Sequence, residues 1–179
     1  MALVVEDGTG RADAESYAST ADADTYHSNL GNVAWAALQD AQKEQLLRAA
    51  TQFMVRTYRP RWKGFRMSTT QTLDWPRMGC FIDDIAAFPS TRFIGQYLYM
   101  VPVNVVPDQV KEACMELALI ALTTPLITSV VNRTTSRVKT GSVDITFAPG
   151  SGQLPRFPAI YRILAPFLEA GGNVMRVHR

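Results

Sequence analysis

Apolar residues recur at three- and four-residue spacing in three stretches of this chain, and each predicts a helix. In the first, Leu46, Leu47, Ala50, Phe53, Met54 and Thr57 form a stripe that should run from Asp40 to about Arg59. Pro60 ends it, because the residue before a proline is pushed out of helical geometry. In the second, "DQVKEACMELALIALTT", Val110, Cys114, Leu117, Ala118 and Ala121 give the buried face, with Asp108 as N-cap and Pro125 as terminator. Leu119, Ile120 and Leu122 widen that face, so this helix should be central and packed on several sides. The third, "PAIYRILAPFLEAGG", places Ile160, Ile163, Leu164, Phe167 and Leu168 on one side, and Pro166 should kink it or split it in two. Ahead of these, Ser19-Thr20-Ala21-Asp22 has the form of a capping box, predicting a short helix to about Leu30 that stops at Gly31.

Elsewhere the period changes. "NRTTSRVKTGSVDITFAPG" alternates Val138, Val143, Ile145 and Phe147 about Thr140-Gly141, the pattern of a β-hairpin. Residues 60–106 keep no period and carry Pro89, Pro102 and Pro107, which predicts an extended excursion with at most short strands. The resulting picture is a mainly α fold: a small helical bundle with a β-hairpin, an extended arm and a long loop. One domain spans 1–179, with an N-terminal arm over 1–15 and a helical core over 16–125 that holds the 60–106 insertion. A hairpin over 126–150 and a C-terminal helix and tail over 156–179 complete it.

Composition adds little to this and charge adds more. Of 179 residues, 47% are hydrophobic and 19% charged, the balance of a chain with a packed core. Net charge is only +2, which gives the chain as a whole no nucleic-acid signature. The charges lie in blocks, however: residues 1–44 hold eight acids against two bases, and 45–77 hold seven bases against one acid. Such blocks give a protein two faces of unlike sign, and solvated helix faces produce the same pattern. Cys80 and Cys114 match no zinc spacing and read as reduced, buried thiols. No apolar run is long enough to span a bilayer, and "MALVVEDGTG" lacks the basic start of a signal peptide.

Catalytic chemistry finds little support. His27 and His178 stand alone, and Asp83-Asp84 lack partners at any metal-ligand spacing. Gly150-Ser151-Gly152 is not a nucleophile elbow, and no phosphate-binding glycine loop is present. The chain is therefore expected to be a non-enzyme without catalytic residues, metal or cofactor.

The segment "RPRWKGFRMSTTQTLDWPRMG", residues 59–79, carries the most suggestive chemistry. Arg56, Arg59, Arg61, Lys63, Arg66 and Arg77 could hold phosphates while Trp62, Phe65 and Trp75 stack bases, as in single-strand binding grooves. Equally, the aromatic rings could plug a core, Trp75-Pro76 stiffening a turn, while the cations face a neighbouring subunit. Residue types alone leave both open.

Several stretches resemble one family of tailed-bacteriophage proteins. These are the opening "VVEDGTGRADAESYASTADADTYHSNLGNVAWAAL", the helix "EQLLRAATQFMVRTY", "RWKGFRMSTTQTLDWPR" and "VPDQVKEACMELAL". They look like the head–tail connector, or adaptor, proteins of long-tailed phages, a group often labelled DnaT-like single-stranded-DNA-binding. The likeness covers about residues 1–125, and its most specific element is Gln71, Leu73, Trp75, Pro76 and Arg77. The longer 80–106 stretch departs from it. The resemblance implies a virion neck protein assembled in the host bacterial cytoplasm, with no membrane association. It implies a homo-oligomeric ring of about twelve copies below the portal protein, offering a surface to the next neck or tail protein. Packaged double-stranded DNA would pass through the lumen without sequence readout. The cations named above would then face a subunit or the channel. The C-terminal region, with Tyr161, Leu164, Phe167, Val174, Met175, Arg176 and Arg179, would dock on the portal.

Overall fold

A computed structural model describes residues 2–86, 98–126, 137–140, 143–146 and 157–169, and the fold is mainly α with small antiparallel strand pairs. Helix α1 (Thr20–Asn29) starts where the capping box predicts. The Ser19 hydroxyl oxygen accepts the Asp22 N–H at 3.0 Å, and the Asp22 carboxylate accepts the Ser19 N–H at 3.2 Å. It ends at Gly31, whose φ of +70° suits a residue without a side chain. A four-residue helix α2 (Val33–Ala36) follows, too short to leave a period in the sequence.

Helix α3 (Asp40–Tyr58) begins at Asp40 as expected, with Gln39 at its cap position. A 3-10 turn (Arg59–Arg61) then leads into the irregular part of the chain. Strand β1 (Phe65–Arg66) pairs with β2 (Arg77–Met78), and β3 (Phe81–Ala86) with β4 (Leu98–Met100). Helix α4 (Asp108–Ala121) has Pro107, not Asp108, at its cap position. Strands β5 (Arg137–Thr140) and β6 (Val143–Thr146) form the expected hairpin, pairing Val138 with Ile145 and Thr140 with Val143. Gly141 and Phe147 lie outside the described residues. Helix α5 (Pro158–Leu164) passes into a 3-10 turn (Ala165–Phe167), so Pro166 divides the last helix as its ring geometry requires.

The stripes explain the packing. Leu47, Ala50 and Met54 of α3 are fully buried against Val110, Cys114, Leu117 and Ala118 of α4, and α5 covers α4 with Ile160 and Leu164. Burying one such leucine or methionine contributes about 1.5–3 kcal/mol. Ala121, expected on the same stripe, is only half-buried. Cys114 sits at the centre with its sulfur 3.3 Å from the Thr51 hydroxyl, and burial pushes its thiol up from the usual range. His27 is also core: it lies between Tyr26 and Trp35, with Nε2 3.2 Å from the Met115 carbonyl and Nδ1 3.1 Å from the Asn32 amide. Burial lowers its pKa.

The N-terminal residues are tied down. The buried Glu6 carboxylate accepts three backbone N–H groups, from Gly8, Gly10 and Arg11, at 2.9–3.0 Å. Glu15 accepts Arg48 at 3.0 Å, and Thr72 bonds back to Arg11 and Ala12. Residues 2–15 therefore line the body rather than project from it. Among the described residues, no helix is long and apolar enough to cross a membrane.

Candidate functional site in the Arg59–Gly79 segment

The segment between α3 and β2 has no regular hydrogen-bond ladder beyond two residue pairs, so its backbone groups must find other partners. They find side chains. Gln71 is buried and donates through Nε2 to the carbonyls of Leu73 (2.9 Å) and Pro76 (3.1 Å), while its Oε1 accepts the Ser68 N–H at 2.8 Å. Arg77, also buried, spreads its guanidinium over three carbonyls: Lys63 (2.8 Å), Gly64 (2.7 Å) and Asp74 (3.1 Å). Gly64 lets the backbone of residues 78–80 come close, since at φ +71° a side chain there would place Cβ 2.3 Å from the Met78 oxygen.

The tryptophans face inward. Trp75 is 0% exposed and Trp62 2%, and their rings meet edge to face with centroids 5.7 Å apart. Phe167 meets Trp75 at 5.6 Å and Tyr58 meets Trp62 at 5.9 Å. The Trp75–Pro76 peptide bond is cis. A wholly buried carboxylate, Asp74, underlies this cluster and accepts Arg59 Nε at 2.8 Å and Trp62 Nε1–H at 3.3 Å. Burial pushes the Asp74 carboxyl up, and Arg59, Arg77 and the indole N–H oppose that shift. Its backbone N–H donates to the Tyr17 hydroxyl at 3.0 Å. Trp75 Nε1 finds no hydrogen-bond partner among the described residues.

These positions divide the candidate residues. Arg77 is turned away from a channel or a neighbouring subunit, because it is buried and each of its three nitrogens donates to a carbonyl inside the segment. Trp62 and Trp75 cannot stack bases, because no face of either ring reaches solvent. Leu164 and Phe167 are core residues and not docking residues: the apolar stripe that carries them closes over α4 and Trp75. Arg59 is shared, its inner edge on Asp74 and Thr72 and its outer edge in solvent. Val174, Met175, Arg176 and Arg179 lie outside the described residues.

The outward set is smaller. Arg56 and Arg66 are exposed, Arg61 and Lys63 half-buried. The Arg61 guanidinium lies 5.1 Å over the ring of Tyr161, itself 39% exposed, and Lys63 Nζ donates to the Phe81 carbonyl at 3.2 Å. Beside these cations stand apolar side chains, of which the sequence singled out only Phe65. The cross-strand pairs Phe65–Met78 and Phe81–Met100 are solvent-facing, Phe65 with 60% of its surface exposed. Strands β1, β2 and β4 are too short to show alternation and Phe81 opens β3 at its edge, so only Phe65's place among the cations could have marked this face. Among the described residues, no three His, Cys, Asp or Glu side chains gather as a metal would require.

Compared with known families, residues 1–179 match the model of the family described as "Putative DnaT-like ssDNA binding protein". No curated protein and no solved structure matches the chain.

Proposed function

Since the chain belongs, over its whole length, to the family of DnaT-like single-stranded-DNA-binding proteins, we propose that it works beside DNA, as a structural head–tail connector of a phage virion. In this reading, copies form a ring below the portal protein, extend the channel for packaged double-stranded DNA, and present a surface to the next neck or tail protein. One observation carries the choice of a structural role. Two of the three aromatic rings a single-strand groove would use, Trp62 and Trp75, are sealed in the core, and the third, Phe65, belongs to an exposed apolar face with Met78, Phe81 and Met100. Exposed apolar side chains rimmed by charge suit contact with protein. Arg56, Arg61, Lys63 and Arg66 then lie at a subunit boundary or toward the channel, where phosphates pass without base contacts.

A second reading, single-strand binding, draws on the family description and on Phe65 standing exposed between Lys63 and Arg66. Anisotropy with a fluorescent oligothymidine at low salt, alongside electron microscopy of the protein mixed with portal rings, separates the two. The connector reading expects density on the portal and weak DNA binding that replacing Phe65 leaves unchanged. Salt-dependent single-strand binding lost in Phe65→Ala, with bare portals, would overturn it.

A further inference from the structure

We infer that copies of this chain meet head to tail, the cationic end of α3 in one copy seating on the acidic α1–α2 end of the next. This deepens the ring reading above and rests on it. Helix α3, with 19 residues, is about 28 Å long and separates two unlike surfaces. At its C-terminal end, residues 56–66 hold five bases and no acid, and Lys63 and Arg66 flank the exposed Phe65 and Met78. At its N-terminal end, residues 19–44 hold four acids against one base. That base, Lys43, is almost fully buried, with Nζ 2.8 Å from Asp24 and 4.0 Å from Asp40, whose side chain is 91% exposed.

The acidic end also carries an apolar knob. Val33 is 82% exposed and Leu30 55%, at the turn joining α1 to α2. A shallow cleft lies on each side of it, one lined by Asp24, Trp35 and Lys43, the other by Leu119, Ile120 and Thr123. Each end thus offers apolar area beside side chains mostly of one sign, the acids at the cationic end being Asp74, buried against Arg59, and Glu169, whose N–H donates to Arg61. Like ends repel, so a two-fold contact of either end with itself is disfavoured, whereas unlike ends attract and bury apolar surface together. A contact between different patches of identical copies is heterologous, and it closes a ring when the rotation permits.

Cysteine cross-linking reads the pairing directly, because the native Cys80 and Cys114 are both buried. The full chain carrying Val33→Cys and Phe65→Cys together, oxidised at high protein concentration, should give a ladder of multimers. Either single variant alone should stay monomeric, and an equal mixture of the two should stop at dimers. Asp40→Lys or Lys63→Glu, added singly to the double variant, should suppress the ladder several-fold, and the two charge reversals together should restore part of it. Dimers from one single variant, or no cross-linked species from the double variant with circular dichroism unchanged, would overturn the head-to-tail contact. Electron microscopy with portal rings keeps the two readings apart. Rings on the portal without a ladder defeat this pairing alone, and bare portals defeat the connector reading.

Discussion

The α3–α4 pair and the Arg59–Gly79 segment both reach the core, yet they hold their shapes by opposite means. In the helix pair, backbone groups satisfy one another and the side chains only have to fill space, so Leu47, Met54 and Leu117 are interchangeable in kind if not in volume. In the segment, the backbone has almost no ladder, and single polar side chains stand in for one. Gln71 closes two carbonyls and Arg77 three. The difference teaches that a cationic, aromatic stretch can be structural throughout its inner half. Its charges are donors for carbonyls before they are partners for anything outside.

The comparison can be broken most severely at Trp75. Trp75→Ala leaves a cavity among Trp62, Phe167 and Pro76 and should cost about 3–5 kcal/mol in urea denaturation. Trp75→Phe should cost clearly less, because it keeps a packed ring and removes an indole N–H that has no partner among the described residues. Equal losses from both changes would mean the ring is not packed as described. Next, Arg77→Lys keeps the charge but not the fork, and should cost about 2 kcal/mol as carbonyls lose their donors. The matching conservative change in the helix pair, Leu117→Met, should stay under about 1.5 kcal/mol. If the two costs came out reversed, the contrast between the regions would fail.

Smaller effects sharpen it. His27 is buried with its pKa lowered, so the unfolded chain, with an ordinary value near ~6.5, takes up the proton first. Its contribution is therefore complete above that pH and is lost as pH falls through it, by at most about 1.4 kcal/mol per unit. Thermal denaturation between pH 7.5 and 5.5 should show this slope, and a His27→Gln variant should lack it. Smallest of all, Arg61→Ala should cost under about 1 kcal/mol, the worth of a half-buried cation over the solvent-facing ring of Tyr161. A larger loss would place Arg61 with Arg77 among the structural cations.

What could be read in advance follows the same division. The stripes of α3 and α4, the capping box at Ser19 and the stop at Gly31 are local statements, and local physics decides them. Helix α2 was hidden because four residues complete only one turn. The fates of the cations were hidden for a different reason. Arg61 and Arg77 share a side chain, a neighbourhood and a sign, and only the positions of distant carbonyls turn one outward and the other inward. For the same cause the stripe bearing Leu164 and Phe167 looked free to dock: nothing near them in sequence shows that Trp75 and α4 already occupy it.

The end of the described chain is stitched to this segment. Trp62 bridges Leu168, the Lys63 N–H donates to the Phe167 carbonyl at 2.9 Å, and the Glu169 N–H donates to Arg61 at 2.7 Å. On the ribosome, α1, α3 and α4 can emerge and pair while the tryptophan pocket still lacks a wall. Closing it requires a loop of nearly the whole remaining chain, a long-range contact that comes late and slowly. A nascent chain halted before Phe167 would hold a formed helix pair beside an open aromatic pocket.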